Sequence, residues 1–469
     1  MTRYRNLADE LAGLIKQGTL QVGERVPSVR DLVRQRGVSP ATAMRAYEVL
    51  ESQDLIEAKP RSGYYVSERW RREVPEPKRS SPPSKSTSVE ISELVFEILE
   101  STRDRDIVPL GSAFPSPTLF PWAKLARFLG SSARHMDPWE SVQSLPPGSE
   151  ELRRQISRRY LLSGASVNAS EIVITAGALE ALNLALATLT RPGDVVAIES
   201  PTFYACLQAI ESAGLKAVEI PTHPVHGVDL GALENAIAKH DIRACWFMTS
   251  FQNPLGATMP DERKRDLVSL LARHEIPLIE DDVYAELYFD ERPRPAKAYD
   301  KKGLVLNCGS FAKCLAPGYR LGWVAAGRFA QDVQRRKITS SIATSVPIQD
   351  GIAAMLRHDG FDAHLQQLRR ALRAQQAEVV RCIRRSFPAG YRLAVPEGGY
   401  FVWVELPPDA DAMKIYRAAL AENISVAPGP MFSARRVFGN CLRINCGHPF
   451  TPAIERAIAE LGRLSAGTR

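Results

Sequence analysis

Apolar residues recur through the first seventy positions with a helical period. Leu7, Leu11, Leu14 and Ile15 fall on one face, and Gly18 supplies a C-terminal stop. Ser28 is placed to cap a short helix through Val29, Leu32 and Val33. After Gly37, Ser39 is placed to cap a third helix with Pro40 at its first position, where a missing N–H costs nothing. Ala43, Ala46, Tyr47 and Leu50 form its apolar face. Two short β-runs follow, Leu55-Ile56-Glu57-Ala58 and Tyr64-Tyr65-Val66, about a turn from Lys59 to Gly63. From residue 150 the pattern changes. Short β-rich runs at Ile172–Thr175, Val195–Ile198, Lys216–Ile220, Ala244–Thr249, Pro277–Glu280, Leu304–Asn307 and Leu321–Ala325 alternate with helical stretches such as Glu180–Leu189 and Asp261–His274. Alternation of this kind predicts an α/β unit, a mostly parallel sheet with helices on both faces. Ligands of such sheets bind at the C-terminal ends of the strands.

Composition narrows the picture. The 469 residues exceed the roughly 150 of one average domain, so two or three domains are expected. The hydrophobic share of 45% with 24% charged excludes wholesale disorder and fibres. No apolar run approaches the ~20 residues that span a bilayer, and Asp9 and Glu10 stand where a signal peptide would be apolar. The chain is therefore expected in the cytoplasm, without membrane contact. Seven cysteines, none in a C-x-x-C pair, point the same way, to reduced thiols. The stretch Val74–Ser88 holds four prolines, five serines and one apolar residue, which predicts a linker. The expected organisation is a small domain over 1–70, a linker over 71–100 and a large domain over 101–469. Residues 1–72 carry 13 Lys and Arg against 9 Asp and Glu, so +4 of the chain's +7 sits in a small fraction of its length. His223 and His226, the only close histidine pair, have no Cys or carboxylate at ligand spacing, so no metal site is expected.

Three helices and a hairpin in this order make a winged helix-turn-helix. Gly18, Pro27-Ser28-x-Arg30-x-Leu32, Val38-Ser39-x-x-Thr42 and Gly63-x-x-Val66 resemble the GntR-type DNA-binding domain over nearly all of residues 4–67. An arginine near a helix start and hydroxyls capping the next helix suit phosphate contacts. The resemblance implies DNA contacts by Arg30, Ser39, Thr42, Arg45, Arg61 and Gly63, with Arg45 and Arg61 reaching base edges or a minor groove. Pro40 stands where that family usually has an arginine, which removes one habitual contact.

Several polar residues of the large domain follow predicted strand ends. Thr175-Ala-Gly177-Ala178-Leu179 leaves a strand and opens a helix, whose N–H groups suit a phosphate. Asn253-Pro254, Asp281-Asp282-Val283-Tyr284 and Ser310-Phe-Ala-Lys313 through Arg320 follow three more. Taken singly, each has an ordinary reading as a turn or a solvated strand end. Their order and gaps, 28 residues from Asn253 to Asp281, 32 more to Lys313 and seven more to Arg320, with a late Arg443, resemble fold-type I enzymes that use pyridoxal 5′-phosphate (PLP), specifically aminotransferases. Pro146-Pro-Gly-x-x-x-Leu152-Arg153, Ser200-Pro-Thr-Phe203 and Gly398-Gly-Tyr400-Phe401 extend the resemblance, which runs from about Leu110 to the C-terminus. It implies that Lys313 forms the Schiff base with PLP and that Asp281 keeps the pyridine nitrogen protonated. Asn253 and Tyr284 would hydrogen-bond the phenolate oxygen, and Phe203 would stack on the ring. Ser310, Arg320 and the N–H groups after Gly177, those of Ala178 and Leu179, would hold the phosphate. Arg443 would clamp a substrate carboxylate. Two positions depart from the family: Ala312 where serine is frequent before the lysine, and Gln143 where a tyrosine commonly reaches across a dimer.

The two resemblances together are similar to the MocR subfamily of bacterial regulators, a winged helix-turn-helix joined to an aminotransferase-like domain. They imply a PLP-dependent transcriptional regulator, homodimeric, that binds operator DNA and senses an amino acid, an amine or PLP itself. The alternative is a working aminotransferase that carries a DNA-binding appendage.

Overall fold

In a computed structural model, which describes residues 3–53, 55–59, 62–67, 74–100, 106–140, 145–358 and 360–467, the helical period of the first residues becomes α1 (Arg3–Lys16), α2 (Val29–Arg36) and α3 (Pro40–Ser52). The chain divides into two units, Met1–Pro75 and Glu76–Arg469. In the first, α1 buries Leu7, Leu11 and Ile15 against Ala43, Ala46 and Leu50 of α3, all in one cluster. Burying side chains of this size yields roughly 1.5–3 kcal/mol each for Leu and Ile. The expected caps are in place. Ser28 Oγ accepts from the Asp31 N–H and Ser39 Oγ from the Thr42 N–H, and Gly37 ends α2 with a left-handed φ of 60°. The wing is an antiparallel pair, β1 (Ile56–Lys59) and β2 (Gly63–Val66), with Ile56 opposite Val66.

The second unit is built on a nine-stranded sheet. Its strands are β3 (Thr87–Ser88), β4 (Ile172–Thr175), β5 (Val195–Ser200), β6 (Lys216–His223), β7 (Gly227–Val228), β8 (Ile242–Phe247), β9 (Leu278–Asp281), β10 (Val305–Ser310) and β11 (Gly322–Ala325). They lie in the order β3-β6-β5-β8-β9-β10-β11-β4, with β7 beside β6. From β6 to β10 all pairs are parallel, and β11 runs antiparallel to both its neighbours. All seven strands expected from the sequence are present, with ends shifted by a few residues. The central strands are buried on both faces, which explains their near-continuous apolar runs. A second, antiparallel sheet holds β12 (Arg392–Leu393), β13 (Phe401–Glu405), β14 (Ala427–Pro428) and β15 (Cys441–Asn445). Among the described residues no helix is long and apolar enough to cross a membrane.

One expectation needs correcting. The stretch read as a linker over 71–100 belongs to the second unit from Glu76 onward. The Lys78 N–H donates to Glu405, Arg79 pairs with Asp229, and Ser80 is buried. Ser80 Oγ donates to the Ser200 carbonyl and accepts from the Thr222 N–H at 2.9 Å. Further on, β3 pairs with β6, Arg435 donates to the Lys85 carbonyl, and Glu211 accepts the N–H groups of Ile91 and Ser92. The composition argument weighed only apolar burial. This strap is held instead by completing hydrogen bonds that buried strand ends require.

Candidate functional site

The strand ends of the large sheet bring the expected residues together. Lys313 follows β10, and its Nζ donates to the Ala113 carbonyl at 2.8 Å and lies 3.8 Å from the centre of the Phe114 ring. Burial, and next the Arg443 cation, bring the Lys313 amine down to about 7 from 10.5. Asp281 ends β9, and its Oδ1 is buried without a hydrogen-bond partner. Burial raises its carboxyl to about 7, against the pull of the Val283 N–H and Lys313. A side chain that costs this much to bury unpaired marks a place built for a partner.

Asn253 and Tyr284 are both buried, with Asn253 Nδ2 3.4 Å from the Tyr284 hydroxyl. Asn253 Oδ1 also accepts from Arg443 NH1 at 3.0 Å. Arg443, on β15, is 1% exposed and sits over the rings of Phe401 and Phe432. Its NH2 donates to the carbonyls of Gly111 and Ser112, its Nε has no partner, and no carboxylate among the described residues pairs with it. Burial lowers its proton affinity. A fully buried guanidinium without a counter-ion is a standing invitation to an anion.

Gly177, at the N-terminus of α5 (Ala178–Leu189; α4 being Glu150–Leu162), has φ 94°. A Cβ there would lie 2.8 Å from Arg320 NH2, so only glycine lets that guanidinium lie on the turn. Arg320 itself has a left-handed φ of 46°, uncommon for a residue with a side chain. The first N–H groups of α5, those of Ala178 and Leu179 included, have no intrahelical acceptor by helix geometry. Phe203 caps the helix Tyr204–Ser212, its ring 4.5 Å from that of Tyr204. Ser310 is otherwise engaged: its hydroxyl donates to the Leu321 carbonyl and accepts from the Ala312 N–H. Gln143 lies outside the described residues.

Sequence reasoning passed over three groups here. The Ala113 carbonyl accepts from both Lys313 and Tyr400, and no side-chain motif marks a main-chain acceptor. Lys337, 1% exposed, bonds Glu180, whose carboxylate in turn accepts the Ala176 N–H and so fixes the turn before α5. An acidic residue in a helix's first turn was the available signal. Asn445 ties the carbonyls of Ser112 and Phe114 to β15.

In the first unit Ser39 and Thr42 share a hydrogen bond of 2.9 Å at the start of α3. Arg30 is exposed on α2, and the Arg45 guanidinium lies 4.9 Å over the Tyr4 ring. Gly63 opens β2 with φ 105°, against the Arg25 side chain. Arg61 falls outside the described residues. No group of three or more metal-ligating side chains occurs among the described residues; the rings of His223 and His226 stack on each other.

Comparison with known proteins agrees with this division. Residues 140–461 match the class I and II aminotransferase family, and residues 3–66 match the gntR family of bacterial regulatory proteins. The chain is 44% identical over 466 residues to an uncharacterized HTH-type transcriptional regulator, YdcR, of Escherichia coli K12, covering 99% of both. It is 38% identical over 467 residues to a second from that strain, YjiR, covering 98% of both. Among solved structures, Pyrococcus horikoshii kynurenine aminotransferase superposes with a TM-score of 0.74 at 27% identity, over 80% of this chain and 94% of that one. The chain thus belongs to the MocR-like HTH-type transcriptional regulators, in which a GntR domain is joined to a class I and II aminotransferase domain.

Proposed function

We propose that this regulator binds PLP at Lys313, responds there to an amino acid, an amine or PLP itself, and reads operator DNA through its N-terminal unit as a homodimer. The observation that carries the reading is the convergence of three buried groups: the Lys313 amine, the Asp281 carboxyl with its orphaned Oδ1, and the Arg443 guanidinium, which has no counter-ion and a partnerless Nε. Each matches a different part of PLP with its ligand. When bound, PLP supplies an aldehyde that condenses with amines and a ring that draws electron density from the attached carbon.

This chain's residues do the rest. Asp281, aimed from β9, holds a proton on the pyridine nitrogen by charge pairing, which relieves its buried oxygen. Asn253 and Tyr284 donate toward the phenolate oxygen. Gly177 lets Arg320 and the first N–H groups of α5 close on the phosphate, where dipole and charge add. Phe203 covers a ring face. Arg443 offers an effector carboxylate its charge and its partnerless Nε, its terminal nitrogens being held by the Asn253 side chain and the Gly111 and Ser112 carbonyls. Ser310 has its hydroxyl committed to Leu321, so its phosphate contact requires a rotation.

A second reading, a working aminotransferase, is favoured by one observation. A lysine amine held at about 7 is suited to take and return protons at neutral pH. The two readings share a first test. PLP added to the full-length protein should give a borohydride-trapped adduct at Lys313, lost in Lys313→Ala, and candidate amino acids should shift the cofactor absorbance. Undiminished adduct at another lysine refutes the assignment. Steady release of a keto acid would favour the enzyme.

A further inference from the structure

The turn that opens α5 carries a charge of the wrong sign for a phosphate. Glu180 is the third residue of the helix, in the same turn as the N–H groups of Ala178 and Leu179. An anion in a first turn is normally favourable, because it faces the positive end of the helix dipole. Beside a second anion it is not, since like charges at such short range repel. The carboxylate nevertheless helps to hold the turn, because it accepts the Ala176 N–H. The Thr175 hydroxyl donates to the Gly177 carbonyl at 2.9 Å, and a Cβ at Gly322 would lie 2.6 Å from the carbonyl carbon of Gly177. The turn is built to one shape, and Glu180 is one of its fastenings.

Lys337, on the helix Ala330–Ser340, answers the charge. Its Nζ donates to the two Glu180 oxygens at 3.1 and 3.0 Å and to the Ser341 hydroxyl at 3.0 Å. Ser341 in turn donates to Glu180. The lysine is almost wholly buried. A buried ion pair is a poor source of stability, because desolvation consumes much of the attraction. A methionine would fill the same space without that cost, so what the ammonium adds is its charge. Arg320, whose guanidinium lies against Gly177, has no carboxylate partner among the described residues. Arg320, Lys337 and Glu180 together carry a net charge of +1, which falls to zero without the lysine.

We propose that Lys337 is a positioning residue for the phosphate of PLP: it neutralises Glu180, so that this carboxylate can fasten the turn before α5 without repelling the phosphate. The inference rests on the proposed binding of PLP at Lys313 and deepens it. It assigns the selectivity for a phosphorylated ligand partly to a pair of side chains that do not touch that ligand.

The test titrates the full-length protein with PLP and with pyridoxal, which lacks the phosphate, and follows the absorbance, with borohydride trapping at Lys313 as the check on the site. Lys337→Met should lower the affinity for PLP by roughly fivefold or more and leave that for pyridoxal unchanged. Lys337→Gln, which keeps a donor to the carboxylate but not the charge, should do the same. Adding Glu180→Gln to Lys337→Met removes the anion and keeps an acceptor for the Ala176 N–H, so it should bring the PLP affinity back to about the wild-type value. Equal losses for the two compounds would show a purely structural role and overturn the proposal. A double variant no better than Lys337→Met would overturn it equally. An intact Lys313 adduct with an unchanged ratio of the two affinities in both single variants refutes this inference alone, whereas no adduct in wild type refutes the cofactor reading as well.

Discussion

Lys313 and Arg443 act on each other through charge, and this has a sign that can be measured. Burial and the Arg443 cation both disfavour the ammonium form, so the amine sheds its proton near pH 7 rather than near 10.5. The neutral amine is the form that attacks an aldehyde. The rate at which the cofactor-free protein captures PLP should therefore rise as pH climbs through about 7 and be lost below it. Arg443→Gln removes a cation that lowers the amine's proton affinity, so the midpoint should move upward. Stopped-flow absorbance over a pH series checks both statements. A wild-type midpoint near 10, or a downward move in the variant, contradicts the electrostatic account. Asp281 shows the complementary logic: burial raises its carboxyl to about 7, and a bound cation is what would return it to the ionised form.

At the scale of elements, the strap shows what a pattern of apolar residues leaves out. Ser80 has one hydroxyl, yet it serves the Ser200 carbonyl and the Thr222 N–H at the ends of β5 and β6. Ser80→Ala removes one hydrogen bond from each of these buried groups, at a cost of about 0.5–1.5 kcal/mol for each bond. The variant should unfold at lower denaturant than wild type, with an unchanged slope. A stability equal to wild type would show that the strap is only laid against the sheet. The helices of the first unit, the wing and all seven strands were legible in the sequence, because a period of 3.6 or a short β-run reports burial directly. Gly177, Asn253, Asp281, Tyr284, Lys313 and Arg443 were legible from order and spacing, and the fold gathers them at one place. The hold of Ala113 on Lys313 and of Lys337 on Glu180 was not. Those contacts join residues far apart in sequence, and main-chain acceptors carry no residue code. Ser310 is the opposite case, a motif residue whose hydroxyl donates to the Leu321 carbonyl, a commitment that the motif does not reveal.

For the molecule as a whole, two measurements decide how the DNA-reading and ligand-binding units work together. Operator affinity should fall with salt in proportion to the phosphates neutralised. Arg30→Ala, at an exposed position of α2, should weaken binding to all sequences and reduce the salt slope by about 1. Operator binding retained by a chain starting after Pro75 would refute the assignment of DNA contacts to the first unit. Ligand binding at Lys313 would be a local event, so it alters operator affinity only if the DNA-binding arrangements of the proposed dimer bind the ligand unequally. A coupling of about 1–3 kcal/mol changes affinity roughly 5- to 150-fold, and operator DNA must then change ligand affinity by the same factor. A regulator built this way keeps its ligand, whereas an efficient transaminase consumes it and erases the signal. The decisive experiment measures operator affinity with and without an amino acid that shifts the cofactor absorbance, and ligand affinity with and without operator. Equal factors in wild type, both absent in Lys313→Ala, are expected. If the amino acid is turned over rapidly and operator affinity does not move, sensing at Lys313 is excluded and the site is that of an enzyme carried by a DNA-binding protein.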